Sequence, residues 1–308
     1  MLCAITSYFN PIGYRRRLEN YRIFRERLST PLITVELSFN DRFELEDGDA
    51  TRLIRVRGGD VMFQKERLLN LGLGALPKDC KAVAWLDCDV ILADRWAERA
   101  VEALRTSELV HLYEGQYDLL PDHGQRDPAE CSRSFFGTSV AKKVATGRMT
   151  PADFTSDAPP VADTSWGLAW AARRELLDAH RLYDACILGS GDVAVFCAAI
   201  GGFERPKEAL RMSDRRHRHY LDWARPFYQA VGGRVACVEG PILHLWHGDS
   251  GRRRYRERHQ DMEVFQFDPA KDIEMTSDGC WRWSSDKPEM HAWVAGYFRC
   301  RQEDGPSC

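Results

Sequence analysis

The chain has 308 residues, 44% of them hydrophobic, and its formal net charge is −3. This length and apolar content suffice for one large domain, or for one domain with an appended subdomain. The small net charge provides no overall basic field of the kind that attracts nucleic acids or membranes. The N-terminal residues show no secretory signal, and no apolar run approaches about 18 residues, so we expect a cytoplasmic protein without a transmembrane anchor.

Ten cysteines are scattered along the sequence, and no two of them form a C-x-x-C pair. This spacing argues against a disulfide framework and against a zinc-cysteine site. Free thiols in a reducing cytoplasm fit the pattern better.

Strands and helices are predicted to alternate over the first third of the chain. Apolar runs predict strands at residues 2–8, 31–37, 53–56, 82–86 and 109–113, and helical spacing predicts helices at residues 14–28, 62–73 and 94–105. Such alternation is typical of βαβ units and of a parallel sheet covered on both faces. We therefore expect an α/β, Rossmann-like fold with a mostly parallel central sheet.

The rest of the chain is less regular. Residues 121–164 are rich in Pro, Asp, Gly and Ser, which predicts a long loop or lid. Further strands are predicted at residues 166–173, 235–238 and 242–246, and further helices at residues 174–180, 193–200 and 220–231. The Trp-rich C-terminal segment is expected to form a helical extension that caps a site or makes an oligomer contact.

Two acids one residue apart, Asp87 and Asp89, follow the wholly apolar strand predicted at residues 82–86. Ligands of open α/β sheets bind at the carboxyl ends of strands. Two acids there repel each other unless a proton or cation lies between them, and a divalent ion would also bridge to a diphosphate. A strand-end turn with solvated acids is the alternative interpretation.

Three other segments carry candidate site residues. The helix predicted at residues 62–73 begins after two glycines and presents Gln64, Lys65, Arg67 and Asn70, either as donor-binding groups or as an ordinary solvated face. Asp192 follows Gly189-Ser190-Gly191 and is either a catalytic base or a helix N-cap. His244 and His247 have the spacing of a metal-binding pair, and arginines follow them directly.

Taken in order, these features resemble the GT-A glycosyltransferases, in particular the galactosyltransferase-like branch and related bacterial and phage-type sugar transferases. The resemblance spans roughly residues 2–258. It implies a glycosyltransferase domain over residues 1–260, with a nucleotide-sugar-binding half at about 1–115, an acceptor half at about 116–260 and an extension at 261–308.

The resemblance also implies a role for each candidate residue. Mn²⁺ or Mg²⁺ would be held by Asp87, Asp89 and His247, with His244 beside them, and Asp192 would be the base of an inverting transfer. The donor, most simply a UDP-sugar, would be bound by residues of the early helix and of the late arginine cluster: Gln64, Lys65, Arg67, Asn70, Arg252 and Arg254. Gly191 and Trp166 would lie on the acceptor side, although Trp166 has core packing as its alternative. The acceptor would be a glycan or a modified nucleobase in phage DNA.

Two other functions stay open. A metal-dependent nucleotidyltransferase also needs paired acids, but it would normally carry a glycine-rich phosphate loop after the first strand, and residues 8–13 contain one glycine. A non-catalytic sugar-binding protein of the same fold is the third possibility, against which the intact acids argue.

Overall fold

The computed structural model of the chain describes residues 1–121 and 131–305. Its strands, numbered in chain order, are β1 Leu2–Phe9, β2 Leu32–Leu37, β3 Arg52–Val56, β4 Ala82–Leu86, β5 Val90–Leu92, β6 Leu109–His111, β7 Gly115–Leu119, β8 Arg133–Ser139, β9 Thr164–Ser165, β10 Ala169–Arg173, β11 Val235–Cys237, β12 Pro241–His244, β13 Ile273–Met275 and β14 Trp281–Trp283. Its α-helices are α1 Arg15–Glu26, α2 Lys65–Leu73, α3 Trp96–Ala103, α4 Val140–Ala145, α5 Arg174–His180, α6 Gly191–Ala199, α7 Glu204–Ala209, α8 Asp214–Val231, α9 Glu257–Glu263, α10 Pro269–Asp272 and α11 Pro288–Cys300.

The central sheet has the strand order β11-β6-β10-β4-β1-β2-β3. Its strands pair in parallel except β10, which runs antiparallel to both β4 and β6. The side chains of β1 alternate between two apolar clusters. Ile5 and Phe9 pack with α2, α6, α8 and α11, whereas Ala4 and Tyr8 pack with α1 and α3. The expected Rossmann-like fold, a mostly parallel sheet with helices on both faces, is confirmed.

A second sheet positions the functional residues. Its order is β5-β12-β7-β8-β9, and β12 pairs antiparallel with β5 and parallel with β7. Because β5 begins directly after the Asp87–Asp89 turn, this pairing brings the end of β12 to the carboxyl end of β4. Two parts of the chain far apart in sequence therefore meet at one edge of the central sheet.

The C-terminal segment packs into the main core. The apolar cluster on the α2 side of the sheet includes Phe267, Cys280, Met290 and Phe298. The predicted helix is present as α11, but the segment also contains the β13–β14 hairpin, which the sequence analysis did not predict. The boundary at residue 260 stays a prediction.

The prediction of a long loop over residues 121–164 is wrong for part of this range. The structure places β8 and α4 inside this range, and residues 122–130 lie outside the described part of the chain. The first four residues of β8 are exposed, including Phe135, so its side chains lack the alternation of a half-buried strand. Within residues 1–121 and 131–305, no helix combines the length and the apolar character needed to cross a membrane.

Candidate metal and acid site

The Asp87–Asp89 turn lies at the carboxyl end of β4, between the central sheet and the second sheet. All five residues of β4 are buried, and the Asp87 amide donates to the Leu168 carbonyl at 2.7 Å, which ties the turn to the residue before β10. The Leu245 amide donates to the Asp89 carbonyl at 2.8 Å, which ties the turn to the chain that leaves β12. The two aspartates thus occupy the ligand-binding edge expected for an open α/β sheet.

Asp89, His244 and His247 form a compact group of possible metal ligands. One ligand atom from each residue lies within 4.8 Å of the others. His247 Nε2 is 3.0 Å from Asp89 Oδ2 and 3.1 Å from His244 Nε2. His244 is the last residue of β12 and stands opposite Val90 in β5, so the sheet register places it beside Asp89.

The polar atoms of this group are not fully satisfied. Asp89 Oδ1 is buried without a hydrogen-bond partner among the described residues. Arg253 Nη2 lies 2.8 Å from His247 Nε2, the same nitrogen that faces Asp89. One ring nitrogen cannot accept from a guanidinium and donate to a carboxylate at once, so one of these two contacts lacks a hydrogen bond. A divalent cation bound to His247 Nε2 and Asp89 would satisfy both atoms and would take the place of Arg253 at this nitrogen.

The charge states also fit a metal site. Burial raises the pKa of Asp89, but His247, His244 and Arg253 outweigh this effect and hold the pKa well below its usual value. Burial and the neighbouring Arg253 lower the pKa of His247. An ionised carboxylate and a neutral imidazole are the forms that bind metal ions.

Asp87 points into a different group, in which Lys65 bridges two carboxylates. Lys65 Nζ lies 2.6 Å from Asp87 Oδ1 and 2.8 Å from Asp192 Oδ2. Burial and the nearby Asp192 raise the pKa of Asp87 to about 6, although Lys65 acts against the rise. Burial lowers the pKa of Lys65, but Asp192 and Asp87 raise it more, so the ammonium stays charged. Of the four predicted metal ligands, Asp87 lies outside the metal group.

Asp192 lies in the first turn of α6, and the preceding loop is held in an unusual backbone conformation. Ser190 has a left-handed φ of 68°, and its hydroxyl accepts from Arg258 Nη2 at 2.8 Å. Gly167 lies directly against the acid, because a Cβ at this position would be 2.7 Å from Asp192 Oδ2. The loop therefore delivers Asp192 to Lys65 and Asp87.

Gly191 and Glu66 are packed together beside this group. A Cβ on Gly191 would lie 2.2 Å from Glu66 Oε1, so only glycine leaves room for that carboxyl group. Burial raises the pKa of Glu66 to about 8. Packing against Glu66 therefore explains why position 191 requires glycine. The acceptor-side role of Gly191 stays a prediction.

Three of the predicted donor-binding residues make internal contacts. Gln64 is fully buried and bonds to the backbone of Trp281 through both ends of its amide. Arg67 and Asn70 both bond to Asp184. Lys65, in contrast, contacts Asp87 and Asp192. The predictions for Gln64, Arg67 and Asn70 rested on a shared helix, and successive positions of a helix point in different directions.

The late arginine cluster reaches the site through a residue that the prediction passed over. Arg252 and Arg254 are exposed, and Arg254 pairs with Asp261 at 2.9 Å. Arg253, in the short 3-10 helix Ser250–Arg253, contacts His247 instead. A run of arginines gives no signal in sequence for which member points inward.

A second residue missed by the sequence analysis is Glu303. Its carboxylate is 1% exposed and lies 2.6 Å from the nitrogens of both Arg17 and Arg301, and 3.8 Å from His247 Nδ1. The C-terminal tail therefore closes over the metal group, and nothing in the local sequence indicates this.

Trp166 packs away from the acids. Its ring contacts Phe154 and Phe196 at centroid distances of 6.3 and 5.9 Å. It remains half-buried at the rim of the core. These contacts correspond to the packing alternative, whereas the neighbouring Gly167 is the residue that touches Asp192.

Comparisons with known proteins identify no family for this chain. No family model matches it, and no curated protein matches it. Among solved structures, it resembles a 4-diphosphocytidyl-2C-methyl-D-erythritol synthase from Anaerococcus prevotii, with a TM-score of 0.34 and 11% identity over 97% of this chain and 98% of that chain. It also resembles a mycobacterial protein, with a TM-score of 0.39 and 13% identity over 92% of this chain and 83% of that chain. Likeness at this level carries no information on activity.

Proposed function

We propose that the protein is a metal-dependent glycosyltransferase that moves a sugar from a nucleotide-sugar to a hydroxyl acceptor. The observation that carries this proposal is the meeting of two groups at the carboxyl end of β4: a carboxylate with two imidazoles, and beside it two carboxylates bridged by a lysine. Transfer from a nucleoside diphosphate needs both a cation for the leaving diphosphate and a base for the acceptor hydroxyl.

Asp89, His244 and His247 would hold the cation. Two imidazoles favour a transition metal such as Mn²⁺ over Mg²⁺, which prefers oxygen ligands. When bound, such an ion supplies positive charge to the diphosphate leaving group. Arg253, which contacts His247, and Arg17, which pairs with Glu303, add fixed positive charge beside the site.

Asp192 would accept the proton of the acceptor hydroxyl. Lys65 engages its Oδ2, which leaves Oδ1 for the substrate. The same ammonium fixes Asp87, so that the two acids keep one relative position. A base on the acceptor side corresponds to direct displacement and inversion at the sugar carbon.

A glycan acceptor is favoured over a modified base in DNA. Arg215, Arg216 and Arg218, which lie close together in the sequence, form a smaller basic surface than their number suggests. Arg216 is 4% exposed and lies over the Phe267 ring. DNA binding depends on several phosphate contacts from exposed cations. The nucleotidyltransferase alternative differs from the proposed function in its substrate, which would be a nucleoside triphosphate instead of a nucleotide-sugar.

The test is a panel of nucleotide-sugars and nucleoside triphosphates, with and without Mn²⁺. We expect Mn²⁺-dependent release of one nucleoside diphosphate from one nucleotide-sugar. Pyrophosphate released from a triphosphate in the presence of a sugar phosphate would instead establish a nucleotidyltransferase. If the protein neither turns over nor binds any of these nucleotides, the proposed function is wrong and the non-catalytic sugar-binding alternative is left.

A single substitution separates donor binding from transfer. Asp192→Asn keeps the size of the side chain but removes its basicity, so we expect transfer to fall by about 10²–10⁴-fold. Donor affinity and metal affinity, measured by calorimetry, should stay within a few-fold of the parent protein. Equal loss of donor affinity and transfer would contradict the assignment of Asp192 as the base.

A further inference from the structure

A chain of hydrogen bonds leads from His244 into the protein on the side opposite to Asp89. His244 Nδ1 lies 3.0 Å from Asp118 Oδ1. The two residues stand opposite each other in the parallel β12–β7 pair, so the sheet register itself holds them together. A carboxylate only accepts, so this contact places the imidazole proton on Nδ1 and leaves the lone pair of Nε2 facing Asp89 and His247.

The chain continues beyond Asp118. Gln116 Nε2 donates to Asp118 Oδ1 at 2.7 Å, and Ser165 Oγ donates to Gln116 Oε1 at 2.6 Å. The Tyr113 hydroxyl contacts Ser165 Oγ. Because Asp118 only accepts, the donors are ordered from Ser165 through Gln116 to Asp118, and the Tyr113 hydroxyl, which also lies 2.9 Å from the Gly167 carbonyl, packs against Ser165 at the far end.

The burial of this chain distinguishes it from surface pairing. Tyr113, Ser165 and Gln116 are between 0% and 5% exposed, whereas the side chain of Asp118 is 29% exposed. Buried polar groups are unfavourable unless each is satisfied, and a satisfied network is rigid. Here a rigid buried network ends on one partly exposed acid whose other partner is a residue of the metal group.

We infer that Asp118 is a positioning residue for the metal group, which fixes the tautomer and ring plane of His244, and that Gln116 and Ser165 fix Asp118 in turn. The inference rests on the proposed metal site at Asp89, His244 and His247. Outer partners of this kind orient a metal-binding imidazole and raise its basicity.

The experiment measures metal binding rather than turnover. The full chain is titrated with Mn²⁺, followed by the electron paramagnetic resonance of the free ion, and with Co²⁺, followed by visible absorption. Removing such a partner typically weakens metal binding by about 10–100-fold, and this is the loss we expect for Asp118→Ala. Asp118→Asn keeps one acceptor oxygen and should recover most of the affinity.

The matched control is Glu114→Ala. Glu114 directly precedes β7, and its carboxylate pairs with Lys142 at 3.1 Å rather than with a residue of the metal group. Its removal should leave the Mn²⁺ affinity and the Co²⁺ spectrum unchanged. Thermal unfolding of each variant without metal shows whether the fold is retained.

The outcomes separate the inference from the proposed function. If the parent protein binds neither ion, the proposed metal site is wrong. If it binds both ions, and Asp118→Ala has parent-like affinity and a parent-like Co²⁺ spectrum, the positioning role is wrong and the metal site stands. If Asp118→Ala abolishes binding as completely as Asp89→Ala, Asp118 is itself a ligand, which also overturns the inference.

Discussion

Asp87 and Asp89 are separated by one residue, yet they belong to two chemically different regions. Asp89 faces two imidazoles, has a buried oxygen without a hydrogen bond among the described residues, and its pKa is held well below the usual value. Asp87 faces an ammonium group and a second carboxylate, and its pKa is raised to about 6. The two halves of one motif therefore differ in partner, charge balance and proton affinity.

This difference indicates that the two acids have different roles. The group around Asp89 has oxygen and nitrogen lone pairs in excess, which a divalent cation would satisfy. The group around Asp87 already contains its cation in Lys65, so it needs no metal to keep two acids together. A paired-acid motif is thus compatible with one metal ligand rather than two.

The largest effect is expected from comparing Asp89→Ala with Asp87→Ala. Asp89→Ala removes the charged ligand of the proposed metal site, so Mn²⁺ binding should be lost and the proposed transfer should fall by at least about 10³-fold. Asp87→Ala should retain Mn²⁺ binding within about 10-fold. Calorimetric titration with Mn²⁺ measures both. Equal loss of Mn²⁺ affinity in the two variants would show that both acids are ligands.

A smaller effect, on stability, is expected from Lys65→Met. The substitution leaves Asp87 and Asp192 facing each other without a cation, and breaking such an ion pair in a largely buried position costs about 3 kcal/mol. Urea unfolding at neutral pH measures this loss in the free energy of unfolding. The exposed Lys78→Met is the control and should change it by less than about 0.5 kcal/mol. A similar small change for Lys65→Met would mean that Lys65 does not stabilise the acid pair.

The smallest effect is expected from Gly167→Ala. The added Cβ would lie 2.7 Å from Asp192 Oδ2 and 3.2 Å from Asp192 Cγ, so the acid must move. Displacing the proposed base in this way should lower kcat roughly 10-fold while Mn²⁺ affinity is unchanged. Gly251→Ala, whose Cβ would meet nothing within 4 Å, is the control. A change in Mn²⁺ affinity without a change in kcat would contradict the separation of the two regions.

Much of the fold could be predicted because its strongest elements carry their pattern locally. The strand at residues 82–86 and the helix at residues 174–180 occur with the predicted bounds, as β4 and α5. By contrast, β8 was predicted as loop, since its exposed residues show no alternation. The β13–β14 hairpin was missed because its strands of three residues are too short to show a period.

For the site, the sequence determined which residue types are available and that the acids follow a buried strand. An apolar strand that ends in acids predicts a sheet edge, because strand burial and chain exit are local properties. Only the tertiary structure decided the partners: it brings His244 and His247 to Asp89, assigns Lys65 to Asp87 and Asp192, and turns Arg253 inward. These contacts depend on the register with which strands far apart in sequence pair in the sheets. The direction of each side chain there is set by tertiary packing and not by the adjacent residues in the sequence.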